Sequence, residues 1–114
     1  MKNKPLQQIF ATSYVIHLYI AGDYNKAQEI CRQFCMEQGF CVSLERNTYI
    51  YTGGQEDGIK VTIVNYPRFP KDPIQLDSYA HALLRLLIEG LHQGSGLMVT
   101  PTETFWYSRR GDTK

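Results

Sequence analysis

The fold is decided by the stretch from Thr48 to Pro70, which is TYIYTGGQEDGIKVTIVNYPRFP. Two runs rich in Tyr, Ile, Val and Thr flank residues 53–58, Gly-Gly-Gln-Glu-Asp-Gly. β-branched and aromatic side chains favour strands, and glycines supply the positive φ angles that turns need. The stretch therefore predicts a long β-hairpin with its turn in residues 53–58. Its second strand must end before Pro67, which has no N–H for the ladder.

A strand and a helix precede this hairpin. Apolar residues alternate from Ser13 to Ile20, as in a strand with one buried face. Asp23 is placed to cap a helix from Tyr24 to Gln38, where apolar residues recur at intervals of three and four. Gly39 suits the left-handed residue that follows a helix, and the next strand begins within residues 40–45.

A second helix and a last strand follow the hairpin. Asp72 and the proline after it predict a helix start, because proline is tolerated at the first helical position. The helix is expected to run to about Gln93. One last strand is expected from Leu97 to Arg110, with Pro101 at a kink or an edge. Residues 2–12 are ambiguous and form either a short strand or an arm that packs onto another surface.

The order strand, helix, strand, strand, helix, strand predicts an α+β fold. We expect a ferredoxin-like βαββαβ sandwich, with both helices on one face of an antiparallel sheet. The 114 residues form one domain, 1–114. The other face of the sheet would present Val15, His17, Tyr19, Lys60, Thr62 and Val64. Because an exposed apolar and aromatic patch usually marks an interface, we predict a homo-oligomer.

Composition excludes several classes of protein. Twelve basic and eleven acidic residues leave a net charge of +1, so the chain lacks the concentrated positive field that duplex DNA or a membrane surface would require. No signal-peptide core and no membrane-spanning run is found, so a cytoplasmic protein is expected. Cys31, Cys35 and Cys41 lack metal-ligand spacing and are expected to be buried, reduced thiols rather than ligands.

Motifs for catalysis are missing from the sequence. It contains no Gly-x-Ser-x-Gly elbow, no Walker loop and no Gly-x-Gly-x-x-Gly. Residues 53–58 lie between strands, which favours a turn over a phosphate-binding loop, although an acid–base pair of Glu56 and Asp57 stays open. The sequence therefore predicts a protein that is not an enzyme and that needs neither a cofactor nor a metal.

Binding has more support. The segment Phe105-Trp106-Tyr107-Ser108-Arg109-Arg110 places aromatic rings beside guanidinium groups, and Arg68-Phe69 repeats this pairing. Such a surface can stack a base and hold a phosphate. The alternative is that the aromatic rings belong to the core or an interface and the arginines are solvated.

Five features together resemble one family of small phage and prophage proteins. They are Asp23, the helical Cys31-Arg32-Gln33-Phe34-Cys35, residues 48–56, Asn65-Tyr66-Pro67-Arg68-Phe69-Pro70, and Trp106 with the arginines after it. The family is that of the Thoeris anti-defence sponges. The resemblance implies an oligomer, a dimer or a hexamer, in the cytoplasm of the host bacterium. It would sequester a TIR-produced cyclic ADP-ribose isomer of the glycocyclic type without degrading it, and some members also bind cyclic oligonucleotides.

The chemistry of such a ligand, with an adenine, two riboses and a diphosphate, leads us to predict a set of ligand-binding residues. Arg109, with Arg68 or Arg32, would contact the diphosphate, and Phe69 or Trp106 would stack on the adenine. Asn65 would contact the ribose or the base. Two other classes stay open: a regulatory domain that binds a small metabolite, and an inhibitor whose exposed sheet docks on a host protein.

Overall fold

The structure, a computed structural model, describes residues 4–109. Five strands form one antiparallel sheet in the order β2-β3-β1-β4-β5. The elements are β1 (Ile16–Ala21), α1 (Tyr24–Gln38), β2 (Ser43–Tyr51), β3 (Gly54–Ile63), α2 (Pro73–Gly90), β4 (Ser95–Val99) and β5 (Thr104–Ser108). The first four strands have the ferredoxin-like order, so the predicted fold class is confirmed. A fifth strand is added at the edge.

The core lies between the two helices and one face of the sheet. The sheet contributes alternate residues of its central strands, such as Leu18 of β1, Val61 of β3 and Met98 of β4, all fully buried. Each helix turns one apolar stripe towards them, as the sequence periodicity predicts. The buried helix residues are Ala27, Cys31, Phe34, Leu76, Ala80, Leu83, Leu84, Leu87 and Ile88.

Both helices begin where the sequence predicts. The Asp23 carboxylate accepts the Lys26 N–H at 2.8 Å, and Gly39 after α1 has a φ of 65°. The Asp72 N–H donates to the Gln75 side chain, and proline occupies the first position of α2. The second helix ends at Gly90, three residues before the predicted end. In the described part of the chain, neither helix is long and apolar enough to cross a membrane.

The turn of the central hairpin is shorter than predicted. Tyr51 pairs with Gly54, so only Thr52 and Gly53 connect the strands, and Gly53 has a φ of 92°. Residues 54–58 belong to β3, which corrects the prediction of a turn there. Backbone pairing with β2 holds this polar segment in a strand despite its composition. Because β1 pairs with β3 only along residues 58–63, the tip of the hairpin extends beyond β1.

The predicted last strand is in fact two strands. Residues 100–103 reverse the chain between β4 and β5. The two strands pair along their whole length, with Val99 opposite Thr104 at the turn and Ser95 opposite Ser108 at the other end. The Thr100 hydroxyl is buried and accepts the N–H groups of Thr102 and Glu103 at 3.2 and 3.0 Å. This side-chain anchor makes a turn where the sequence suggested a kink at Pro101.

Candidate functional site

A cavity of about 680 Å³ opens on the sheet face that carries no helix in the described residues. It lies at the end of the sheet where β1 and β5 finish and β4 begins. One wall is β5 and the other is the extended tip of the β2–β3 hairpin. The lining residues are Tyr19, Ile20, Ala21, Tyr49, Tyr51, Glu56, Gln93, Gly94, Ser95, Gly96, Leu97 and Trp106.

Trp106 forms the β5 wall. It pairs with Leu97, on the face opposite the buried Met98, and its side chain is 46% exposed. Neighbouring Phe105 and Tyr107 pack towards the helices instead, because side chains alternate along a strand. The described residues thus divide the aromatic run between the two faces of the sheet, whereas Arg110 lies outside them.

Tyr49, Tyr51 and Glu56 form the hairpin wall. Tyr49 pairs directly with Glu56, and Tyr51 pairs with Gly54 one step nearer the tip. Glu56 is an even number of residues from Lys60 and Thr62, so its side chain lies on the same open face of the sheet. The paired residues of β2, Tyr49 and Tyr51, lie on that face as well. The phenol rings and the carboxylate therefore face Trp106 across the end of the sheet.

The Tyr49 side chain is held in place by its own sheet. Its hydroxyl donates to the carbonyl of Ile59 and accepts the side-chain amide of Asn47 at 3.5 Å. The ring passes over Gly58, where a β-carbon would lie 2.6 Å from Tyr49 Cε2. Burial raises the pKa of the Tyr49 hydroxyl, so it stays protonated at neutral pH. Tyr49 is thus a rigid, neutral wall.

The cavity is aromatic and carries a single acidic group. Glu56 is the only ionisable side chain besides tyrosine among the described residues that line it. Lys60, a cation on the same sheet face, lies 5.9 Å from the ring centroid of Tyr19 and 3.8 Å from the Glu45 carboxylate. Gln93, Ser95 and the backbone at Gly94 add neutral hydrogen-bonding groups. This lining suits a ligand with a flat ring and a neutral or positive polar part.

The structure brings only one of the six predicted ligand-binding residues to this cavity, Trp106. Arg109 follows β5 but points to the helix side, where its guanidinium lies 2.7 Å from the Glu89 carboxylate. Arg32 is exposed on α1. Binding of one diphosphate by Arg109 with Arg68 or Arg32 stays a prediction.

Asn65, Arg68 and Phe69 lie beyond the far end of β3. The Asn65 amide donates to the Thr12 carbonyl and accepts the Lys71 N–H, both at 2.9 Å, so it ties three segments together. The Phe69 ring stacks near Tyr66, with centroids 5.5 Å apart, and Arg68 is exposed. Ligand binding by these residues stays a prediction.

Sequence reasoning missed Tyr19, Tyr49 and Glu56 as site residues. They come from three strands that meet only through the pairing register, and Glu56 was placed in a turn. The signal available was the alternation of tyrosines with other residues in β2. Within residues 4–109, no group of three or more His, Cys, Asp or Glu side chains is arranged to hold a metal ion.

No protein-family model and no curated protein sequence matches the chain. Its fold is similar to that of a phage SAM lyase in the apo state, with a TM-score of 0.73 and 12% identity, covering 93% of this chain and 98% of that one. For a phage SAM lyase in complex with S-methyl-5'-thioadenosine the TM-score is 0.67 and the sequence identity is 10%, and the match covers 95% of this chain and 98% of that one. For a DUF3240 family protein from Shewanella baltica OS155 the TM-score is 0.49 and the sequence identity is 18%, and the match covers 80% of this chain and 89% of that one.

These similarities bear on two predictions, the absence of enzyme activity and the resemblance to Thoeris sponges. The prediction that the chain is not an enzyme is contradicted, because a fold matched over almost the whole chain is that of a lyase. The resemblance to Thoeris sponges is supported only in that a phage protein has a similar fold; that protein is a SAM lyase and not such a sponge. What these comparisons establish for this chain is therefore its fold.

Proposed function

We propose that the chain binds an adenosine-containing small molecule in the cavity between Trp106 and the β2–β3 hairpin, and that it cleaves S-adenosylmethionine there. The observation that carries this proposal is the lining of the cavity: among residues 4–109 it has aromatic walls with one carboxylate and no cation. It is supported by the fold shared with a phage SAM lyase, one structure of which contains S-methyl-5'-thioadenosine.

The cavity offers what an adenosine needs. Its volume of about 680 Å³ lies within the range of roughly 300–1,000 Å³ that is usual for small-molecule sites. An indole such as that of Trp106 provides a face on which an adenine stacks. The Glu56 carboxylate and the Gln93 amide can hydrogen-bond the hydroxyl groups of a ribose.

The charge of the lining favours a sulfonium ligand over a diphosphate. The faces of Tyr19, Tyr49 and Trp106 attract a cation, and Glu56 neutralises an ammonium or a sulfonium. A diphosphate would instead need guanidinium or ammonium donors, and Arg109 is paired with Glu89 on the helix side. S-adenosylmethionine carries both the adenosine and the two cations that this lining suits.

The cleavage is chemically balanced without another reactant. The bond between the sulfonium sulfur and the γ-carbon of the aminobutyryl group breaks. Its electron pair passes to sulfur, and neutral S-methyl-5'-thioadenosine leaves. The carboxylate of the same substrate forms the new C–O bond and closes a lactone. Glu56 would hold the ribose hydroxyl groups beside the sulfonium while the aromatic walls exclude water, which keeps the reacting groups together.

The test is to incubate the purified chain with S-adenosylmethionine and follow S-methyl-5'-thioadenosine by chromatography. We expect turnover by the wild type and at least a ~100-fold loss in Glu56→Gln. The control Glu29→Gln makes the same change on the exposed face of α1, outside the cavity, and should act as the wild type. No product from the wild type, or equal turnover by Glu56→Gln, would contradict the proposal.

The cyclic ADP-ribose isomer is the second candidate ligand, because its adenine can stack on Trp106 as well. Filtration of the protein after incubation with each nucleotide, followed by chromatography, compares the two. The charge of the cavity predicts that the cyclic isomer binds at least ~10-fold more weakly than S-methyl-5'-thioadenosine. The reverse order would favour the ligand that the sequence resemblance implies.

A further inference from the structure

The segment before β1 exposes large apolar side chains to an unusual degree. Residues 4–12 have no regular secondary structure, and Leu6, Ile9 and Phe10 are 101%, 59% and 89% exposed. None of these three side chains packs against the core. Single exposed apolar residues are common, but three within five positions form a patch that calls for a partner surface.

The C-terminal end of this segment is hydrogen-bonded to the domain, and the rest of the segment extends away from it. The Asn65 amide donates to the Thr12 carbonyl, and Tyr14 donates to the Asp77 carboxylate at 2.9 Å. The described chain measures 56 × 28 × 26 Å, with a radius of gyration of 16.0 Å. A compact chain of this length would have a radius of about 13 Å. We call residues 4–12 the arm.

The arm would gain one apolar side if it formed a helical turn on its partner surface. Leu6, Ile9 and Phe10 are spaced as i, i+3 and i+4, so a single helical turn, which the arm does not form in the single chain, would place them together and turn Gln7 and Gln8 away. A proline at residue 5 suits the first position of such a turn. An arm of this pattern can lay its apolar side on a flat surface.

We propose that the arm packs on the open sheet face of a second copy of this chain, and that two copies exchange their arms. The acceptor surface is the part of that face around His17 and Val99, which pair with each other beside the cavity. Both side chains are half-buried and belong to the face that no helix covers in the described residues.

The area favours mutual exchange over the docking of one arm on a foreign protein. Three apolar side chains of this size bury roughly 300 Å² when they pack, and the acceptor surface loses about as much. Exchange between two copies therefore reaches about 1,200 Å², the lower limit for a stable interface. A single arm would reach only about half of that.

The test uses the full chain and sedimentation equilibrium from about 1 to 100 µM. We expect the wild type to have a mass above that of the 13.1 kDa chain. Leu6→Ser/Phe10→Ser should raise the dissociation constant at least ~100-fold, because each buried side chain accounts for about tenfold or more. Met36→Ser is the matched control: Met36 is 76% exposed on α1 and its replacement should leave the mass unchanged.

A second variant tests the acceptor surface. Val99→Lys places a charge where the arm is expected to pack, so it should weaken assembly as the arm variant does. Circular dichroism checks that each variant keeps its fold. A monomeric wild type at about 100 µM, an arm variant that assembles like the wild type, or an unaffected folded Val99→Lys would each overturn the proposal. Because none of these measurements involves a ligand, failure here is separate from failure of the proposed activity.

Discussion

The ring of Tyr49 lies against Gly58 of the neighbouring strand, so close that a β-carbon at residue 58 would be 2.6 Å from Tyr49 Cε2 and 2.8 Å from Ala21 Cα. The missing side chain of Gly58 therefore leaves the space that the Tyr49 ring occupies. The same ring reaches the Ile59 carbonyl with its hydroxyl, which fixes the ring from both ends. The candidate site depends on a residue that contributes no side chain.

Replacing Gly58 by alanine should displace both Tyr49 and the neighbouring backbone of β1, because the added β-carbon would also overlap the Ile20 carbonyl oxygen. We expect Gly58→Ala to lower the free energy of unfolding by about 1–3 kcal/mol, the usual cost of overpacking, and to weaken the binding of S-methyl-5'-thioadenosine. Urea unfolding measures the first effect. The control is Gly54→Ala, whose β-carbon would lie 3.1 Å from the end of the Tyr51 ring, which can move. Equal stability of the two variants would contradict this role for Gly58.

Gly90 and Ile30 should be energetically coupled at the contact between the helices. A β-carbon at Gly90 would lie 2.5 Å from Ile30 Cδ1. Because Ile30→Val removes that atom, Gly90→Ala should stabilise the Ile30→Val chain by about 1 kcal/mol, the difference in helix propensity. In the wild-type background the gain should be smaller. A double-mutant cycle from urea unfolding measures the coupling, and additive effects would show that the close approach has no energetic consequence.

Stability should fall at acidic pH because of His17. Burial, and then the charge of Lys60, lower the pKa of His17 below its ordinary value of 6.5, while Glu45 opposes this. Between the lowered pKa and 6.5 the unfolded chain binds more protons. The free energy of unfolding must therefore decrease as the pH falls from about 6.5 through the folded pKa. Urea unfolding across this window should show a smaller decrease for His17→Gln, and an identical decrease in both proteins would contradict the assignment.

Cys31 should be inert in the folded protein. It is 3% exposed, and burial, with a smaller effect of Cys35, raises the pKa of its thiol to about 12. The reactive thiolate is then negligible at about pH 8. Iodoacetamide should leave Cys31 unmodified in the native chain and label it in concentrated urea, as peptide mapping can show. Labelling of native Cys31 as fast as that of the half-exposed Cys41 would be inconsistent with this burial.

The elements with strong local signals could be predicted from the sequence. The stripe of Ala27, Cys31 and Phe34 and the caps at Asp23 and Gly39 depend on neighbouring residues, so local patterns specify them. The turn between β4 and β5 could not be predicted in this way. It depends on the buried hydroxyl of Thr100, whose burial is a property of the assembled fold.

The candidate site was predicted less well for the same reason. Trp106 was identified because it lies in an aromatic run that is followed by arginines. Its neighbours across the cavity, Tyr49 and Glu56, become a pair only through the register of β2 and β3. Composition suggested a turn at residues 54–58, and backbone pairing with an extended partner strand outweighs that preference. The arginines were expected in the site by chemistry, but strand alternation turns Arg109 to the helix side.

The most direct test of the central claim uses Trp106, the only tryptophan in the chain. It lines the cavity and is 46% exposed, so a stacked adenine should change its fluorescence. Titration of the full chain with S-methyl-5'-thioadenosine should give a saturable change in Trp106 emission, with the affinity reduced at least ~10-fold in Glu56→Gln and unaltered in Glu29→Gln. An emission that does not respond to the nucleoside, or that responds equally in Glu56→Gln, would contradict binding in this cavity.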